Sequence, residues 1–113
     1  EKVDVNSIGK LHYRFEQDLT GFDEQIIPMH ISGGVGDLVG SIRSDLSERT
    51  QSKKYSEEIG PGETNYTHYD RNIASRACDW IRLRSQQNEN GQWVLFVSFI
   101  APHFPLIVPQ KFL

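Results

Sequence analysis

The hydrophobic pattern opens as a strand. Val3, Val5, Ile8 and Leu11 are spaced as in an extended segment broken by Asn6, Ser7 and Gly9, which predicts a strand ending at Leu11 or Tyr13. Residues 14–29 mix charges with Gly21 and Pro28 and read as loop, with a short strand at 25–27. Ser32-Gly33-Gly34-Val35-Gly36 reads as a flexible turn. After it Asp37 is placed to cap a short helix with Leu38, Val39, Ile42 and Leu46 on one face. Residues 47–67 are polar around Gly60-Pro61-Gly62 and are expected to form a surface excursion. The strongest periodicity spans 69–86, where Ile73, Ala77, Trp80, Ile81 and Arg84 recur at three- and four-residue steps. That predicts a helix capped by Thr67 or Asp70 and stopped by Asn88-Glu89-Asn90-Gly91, with Cys78 as a buried structural thiol on its inner stripe. Residues 93–100 are apolar on both faces, the pattern of a central strand covered by helices on both sides. Helix, short turn and two-sided strand make half of a βαβ unit. The predicted class is therefore α/β, an incomplete part of a mixed or parallel sheet sandwiched by helices.

Composition narrows the function classes. With 113 residues the chain holds one domain or a piece of one, and its abrupt ends read as those of a piece of a larger protein. A net charge of −3 gives no reason to expect a nucleic-acid partner. The apolar runs are too short for a transmembrane helix, so no membrane partner is expected. A single cysteine excludes an internal disulfide and a cysteine-rich zinc site. Compartment and oligomeric state are left open.

Three segments carry candidate chemistry. In Gly9-Lys10-Leu11-His12, strand alternation puts Lys10 and His12 on one face, a pairing suited to an anion: a point charge beside a group that donates a hydrogen bond or moves a proton. By spacing alone, an exposed strand end with two solvated side chains is the more ordinary reading. In Ala101-Pro102-His103-Phe104-Pro105, a histidine follows the buried strand, where ligand sites of open α/β sheets lie. General acid–base work by His103 and simple packing on Phe104 fit that pattern equally. Gly33, Gly34 and Gly36 with Gly40 match neither a dinucleotide fingerprint nor a P-loop and read as a hinge. Asn65-Tyr66-Thr67 is a glycosylation triplet that needs a secretory route to matter. His30 and His68 have no partner at metal-ligand spacing, and the pairs Asp23-Glu24 and Glu57-Glu58 read as solvated.

Taken in order, these residues resemble the sulfatases of the alkaline-phosphatase-like superfamily. Gly9-Lys10-Leu11-His12 is similar to their G-K-x-H segment, and Gly21-Phe22-Asp23 to the G-F-D/E that trails it. The stretch from Phe96 to Pro105 resembles a strand and P-H-x-P turn of the same enzymes, and Asp70-Arg71-Asn72-Ile73-Ala74 resembles the helix before that strand. Within the family the style leans towards choline sulfatases and phosphonate monoester hydrolases.

The resemblance implies an alkaline-phosphatase-like fold and hydrolysis of a sulfate ester, of a small molecule or a carbohydrate. The family uses a formylglycine nucleophile made in a C/S-x-P-x-R motif, and a divalent cation, usually calcium. By the same resemblance Lys10 bridges sulfate and nucleophile, and His12 helps break down the sulfated hemiacetal. His103 binds sulfate and protonates the leaving alcohol. Cationic groups around a developing oxyanion suit that chemistry. The modification motif is missing: Cys78-Asp79-Trp80 has Trp where Pro is required, and no Ser stands two residues before any of the 5 prolines. The family's paired-Asp metal ligands are not found either. The nucleophile and the metal ligands are therefore expected outside this chain, which alone should have no turnover and no tight calcium site. A phosphate or phosphonate monoester hydrolase of the same superfamily, and a non-catalytic anion-binding relative, are the alternatives.

Overall fold

A computed structural model describes residues 3–15, 17–31, 57–87 and 91–113. In chain order the elements are β1 (Asp4–Lys10), β2 (Glu24–Met29), β3 (Ile59–Pro61), α1 (Asn65–Gln86), β4 (Trp93–Ser98), β5 (Leu106–Val108) and a 3-10 turn (Gln110–Phe112). The class is α/β with parallel pairing. β2, β1 and β4 form a sheet in that order, both pairs parallel, while β3 and β5 form a separate parallel pair. The expected Gly33–Gly36 hinge and the helix after Asp37 lie outside the described residues.

The core forms where α1 crosses the sheet. Ile8, Ile73 and Ala77 are buried together, with Ile26, Tyr69, Trp80, Leu95 and Val97 packed around them. Tyr69, Ile73, Ala77, Trp80 and Arg84 follow steps of three and four residues and make one helix face. Near its end Arg84 pairs with Asp4 and lies 5.0 Å from the Trp80 ring, which itself meets Trp93 edge-on at 5.0 Å. These contacts tie the end of α1 to the starts of β1 and β4.

Several expectations change. The helix begins at Asn65 rather than 69, because Thr64 caps it: the Thr67 N–H donates to Thr64 Oγ1 at 3.2 Å and the Thr64 N–H donates to Thr67 Oγ1 at 2.8 Å. A threonine thus fills the place usually taken by Glu or Gln in a capping box. Glu63 adds to this first turn, accepting from Thr67 at 2.9 Å and from Arg71 at 2.5 Å. The Arg71 hydrogen bond, then that of Thr67, holds the Glu63 carboxyl below its ordinary range. Ile81 lies off the inner stripe and is 47% exposed, and Cys78 is exposed rather than buried. The two residues flank the stripe rather than lying on it.

Strand β4 is a further correction. Among the described residues it lies at the edge of its sheet, and β1 takes the centre. Leu95 and Val97 turn to α1, while Val94 and Phe96 remain about half exposed, with Phe22 6.0 Å from the Phe96 ring. One face of the sheet is covered by the described helix, not both. The polar excursion at 47–67 also holds structure at its end, since Ile59–Pro61 pairs with Leu106–Val108. Asp23 is not merely solvated: its carboxylate accepts from the Val5 N–H at 2.9 Å and its own N–H donates to the Val5 carbonyl at 2.7 Å. Asp23 thereby extends the pairing of β1 with the chain entering β2.

Candidate functional site

The carboxyl ends of the parallel strands converge, as open α/β sheets require at their ligand sites. There Lys10, His12 and His103 line one cavity of about 340 Å³, together with His30 and Tyr66. Leu11, Met29, Ile31 and Ile100 supply its apolar walls. Residues from the end of β1, from the end of β2 and from the turn after β4 are thus brought together.

Gly9 explains how β1 can deliver Lys10. Its φ is +102°, a conformation that side chains resist. A Cβ there would also run into the Ser98 carbonyl of β4 and lie 2.8 Å from Ile73 Cδ1. Only glycine lets the strand turn while lying against both β4 and the helix. Lys10 then ends the strand half-buried, and His12 follows it exposed. The two also border a second concavity of about 510 Å³ with Tyr13, Phe22, Phe96 and Ser98. Sequence spacing placed them on one face, and they do face common space, although the strand itself stops at Lys10.

The turn that carries His103 is held by the helix. Asp70 accepts hydrogen bonds from the Ile100 N–H at 2.7 Å and the Ala101 N–H at 3.0 Å. Asp70 therefore does not cap the helix. It lies within α1 and fastens the chain leaving β4. The His103 N–H donates to the Ile100 carbonyl at 2.9 Å, which tightens the turn further. The imidazole Nδ1–H donates to the Phe104 carbonyl at 2.9 Å. That hydrogen bond assigns the proton to Nδ1 and leaves Nε2 as the nitrogen that exchanges a proton with a ligand. The ring meets Tyr66 edge-on at 6.0 Å and Phe104 at 6.2 Å, so His103 both packs on Phe104 and faces the cavity. On its other side it borders a groove of about 540 Å³ between α1 and the segment through β5.

The β2 side is shaped by an irregularity. Ile8 pairs with Ile26, but Lys10 pairs with Met29, so β2 carries one extra residue between these pairs. Ile27 takes that position with φ +46°, unusual for a β-branched residue. The Tyr69 hydroxyl donates to the Ile27 carbonyl at 2.5 Å and holds the bulge from the helix. Burial, and then the nearby Asp70 charge, pushes the Tyr69 phenol above its ordinary range. A bulge resets which side later residues present. Beyond it, the Leu11 N–H donates to the Met29 carbonyl at 2.8 Å and the Ile31 N–H to the Tyr13 carbonyl at 3.0 Å. Those bonds hold the His12 segment against the His30 segment.

Sequence reasoning singled out Lys10, His12 and His103, but gave no site role to Asp70, read as a helix cap, to Tyr66, read within a glycosylation triplet, or to His30, read as lacking a metal-ligand partner. His30 belongs to no quoted motif, and its only signal is its place just after an apolar strand. Among the described residues no group of three or more His, Cys, Asp or Glu side chains could hold a metal ion. The described residues thus supply no ligand set for the divalent cation, whose ligands the resemblance leads us to expect outside this chain. No helix among them is long and apolar enough to cross a membrane. The chain matches no family model, no curated protein and no solved structure.

Proposed function

We propose that this chain is a central part of the catalytic domain of a sulfuric ester hydrolase with an alkaline-phosphatase-like fold. One observation carries the reading: Lys10 and His12 at one end of the sequence and His103 at the other line a single cavity at the carboxyl ends of parallel strands. These are the residues of the G-K-x-H and P-H-x-P segments.

In this reading the Lys10 ammonium draws in the sulfate and balances its charge. The sulfur–oxygen bond to the alcohol breaks, and the leaving oxygen takes the Nε2 proton of His103 in its imidazolium form, leaving the neutral ring with its proton on Nδ1. The Nδ1–H bond to Phe104 keeps that nitrogen turned to the ligand. The sulfuryl group passes to a nucleophile carried outside this chain. His12, next to Lys10, serves the proton transfers that regenerate the nucleophile. The substrate is a small-molecule or carbohydrate sulfate ester, and this chain alone has no turnover.

The test is a pair of aryl esters with the same leaving group, one sulfate and one phosphate, given to the full-length protein. The reading predicts a higher kcat/KM on the sulfate. Preference for the phosphate would move the assignment to the phosphate or phosphonate monoester hydrolases. Turnover of neither, by folded protein, would leave an anion-binding relative.

A further inference from the structure

We propose that His30 is a further oxyanion-contacting residue of the Lys10–His12–His103 cavity. The proposal rests on the sulfate-ester reading and adds to it a binding group that neither quoted motif contains.

Three observations converge on this histidine. First, its position is built: it follows directly on β2, whose extra residue at Ile27 is held in a left-handed conformation and fastened by the Tyr69 hydroxyl. Strain of this kind persists only where surrounding structure imposes it, and it concentrates where a side chain must be aimed. Second, His30 shares a cavity wall with Lys10, His12 and His103, so an anion drawn in by the lysine arrives among three imidazoles. Third, both His30 ring nitrogens are shielded from solvent, and neither has a hydrogen-bond partner among the described residues. A neutral imidazole carries one donor and one acceptor, and leaving both unmet is costly.

A core histidine would be expected to spend at least one nitrogen on a carbonyl or a hydroxyl, as His103 does with Phe104. Among the described residues His30 spends neither. The χ2 torsion of histidine is broad and roughly two-fold, so the ring can turn a nitrogen to a cavity ligand at small cost. A sulfate oxygen then gives the Nε2–H or Nδ1–H the acceptor it lacks. Sulfate has no proton to offer at neutral pH, so the bond requires the donor nitrogen. A side chain with no donor cannot replace the imidazole, whereas the Gln amide can.

The experiment uses the full-length protein, with His30→Leu and His30→Gln beside Lys10→Ala. KM for an aryl sulfate, kcat and the inhibition constant of inorganic sulfate are measured, with a melting curve for each variant. His30→Leu is expected to raise KM and the sulfate inhibition constant by about ten- to a hundred-fold, the range for a hydrogen bond to a charged group, with a smaller effect on kcat. His30→Gln is expected to recover most of that loss. In the wild-type protein, titration with inorganic sulfate should move the His30 imidazole nitrogen resonances, a readout that needs no variant to fold. Unchanged sulfate affinity in folded His30→Leu, or His30 resonances that stay still while those of His12 and His103 move, would overturn the proposal. If Lys10→Ala also left activity and sulfate affinity intact, the sulfate-ester reading would fall, and the role of His30 with it.

Discussion

Removing the Asp70 carboxylate should loosen the turn that aims His103. The side chain accepts from two backbone amides, Ile100 at 2.7 Å and Ala101 at 3.0 Å. The two amides differ in what they can fall back on. Ile100 is 4% exposed, so its N–H finds no water when the carboxylate is gone, whereas Ala101 is exposed and can be solvated. A hydrogen bond to a charged acceptor contributes about 1.5–3 kcal/mol, with the upper part of that range fitting the buried amide. The solvated one adds about 0.5–1 kcal/mol. Asp70→Ala should therefore cost about 3 kcal/mol. Asp70→Asn keeps one acceptor oxygen but turns an NH2 group to the other amide, and should cost about half as much. Urea unfolding measures this as a fall in the midpoint at constant m-value. Because His103 lies just beyond the anchored amides, activity of the full-length protein carrying the change should fall too: a displacement of about 1 Å costs on the order of a hundredfold in rate. A loss below about 0.5 kcal/mol, with kcat unchanged, would refute the idea that Asp70 positions the turn.

Three further outcomes follow from the packing and the titrating groups. Gly9→Ala should destabilise strongly and shift Lys10, because a Cβ at φ +102° collides with the Ser98 carbonyl and crowds Ile73; thermal melting reads the loss, and a near wild-type melting temperature would contradict it. Tyr69→Phe should cost about 1 kcal/mol through the lost bond to Ile27. Since folding raises the Tyr69 phenol, its contribution is present below the ordinary value of 10.0 and is lost as pH rises through the folded value above it, so the variant should lack part of the alkaline decline in stability. Glu63, by contrast, is lowered, so its contribution is present above the ordinary value of 4.5 and disappears as pH falls through the folded value below it. Glu63→Gln should flatten that acid-side decline, and identical acid profiles would show that the Arg71 pairing adds nothing measurable.

The parts of the fold legible in the sequence are those with a strong local period. β1, α1 and β4 each repeat apolar residues often enough to be read one residue at a time. β3 and β5 are not legible in this way, because each is three residues long and one contains Gly60 and Pro61. Their pairing is a long-range event that no local pattern encodes, and the proline is tolerated because, among the described residues, each strand has an open edge. The start of α1 was hidden by Thr67 serving in place of a glutamate. Asp70 was read as a cap because an acid near a helix start usually is one, while its partners lie about thirty residues further along the chain. In the site, Lys10, His12 and His103 were visible through their chemistry and motif context. His30 was not, since what singles it out is a neighbouring bulge and ring nitrogens without a partner among the described residues, both properties of three-dimensional packing.

The most direct test of the central claim is a double-mutant cycle on sulfate-ester hydrolysis by the full-length protein, using Lys10→Ala, His103→Ala and the pair. If both side chains serve one ester in one cavity, each single change lowers kcat/KM by about 10²–10⁴, and the double loss is clearly smaller than the product of the two. Full activity in either folded single variant, or losses that multiply as for independent sites, would contradict the account.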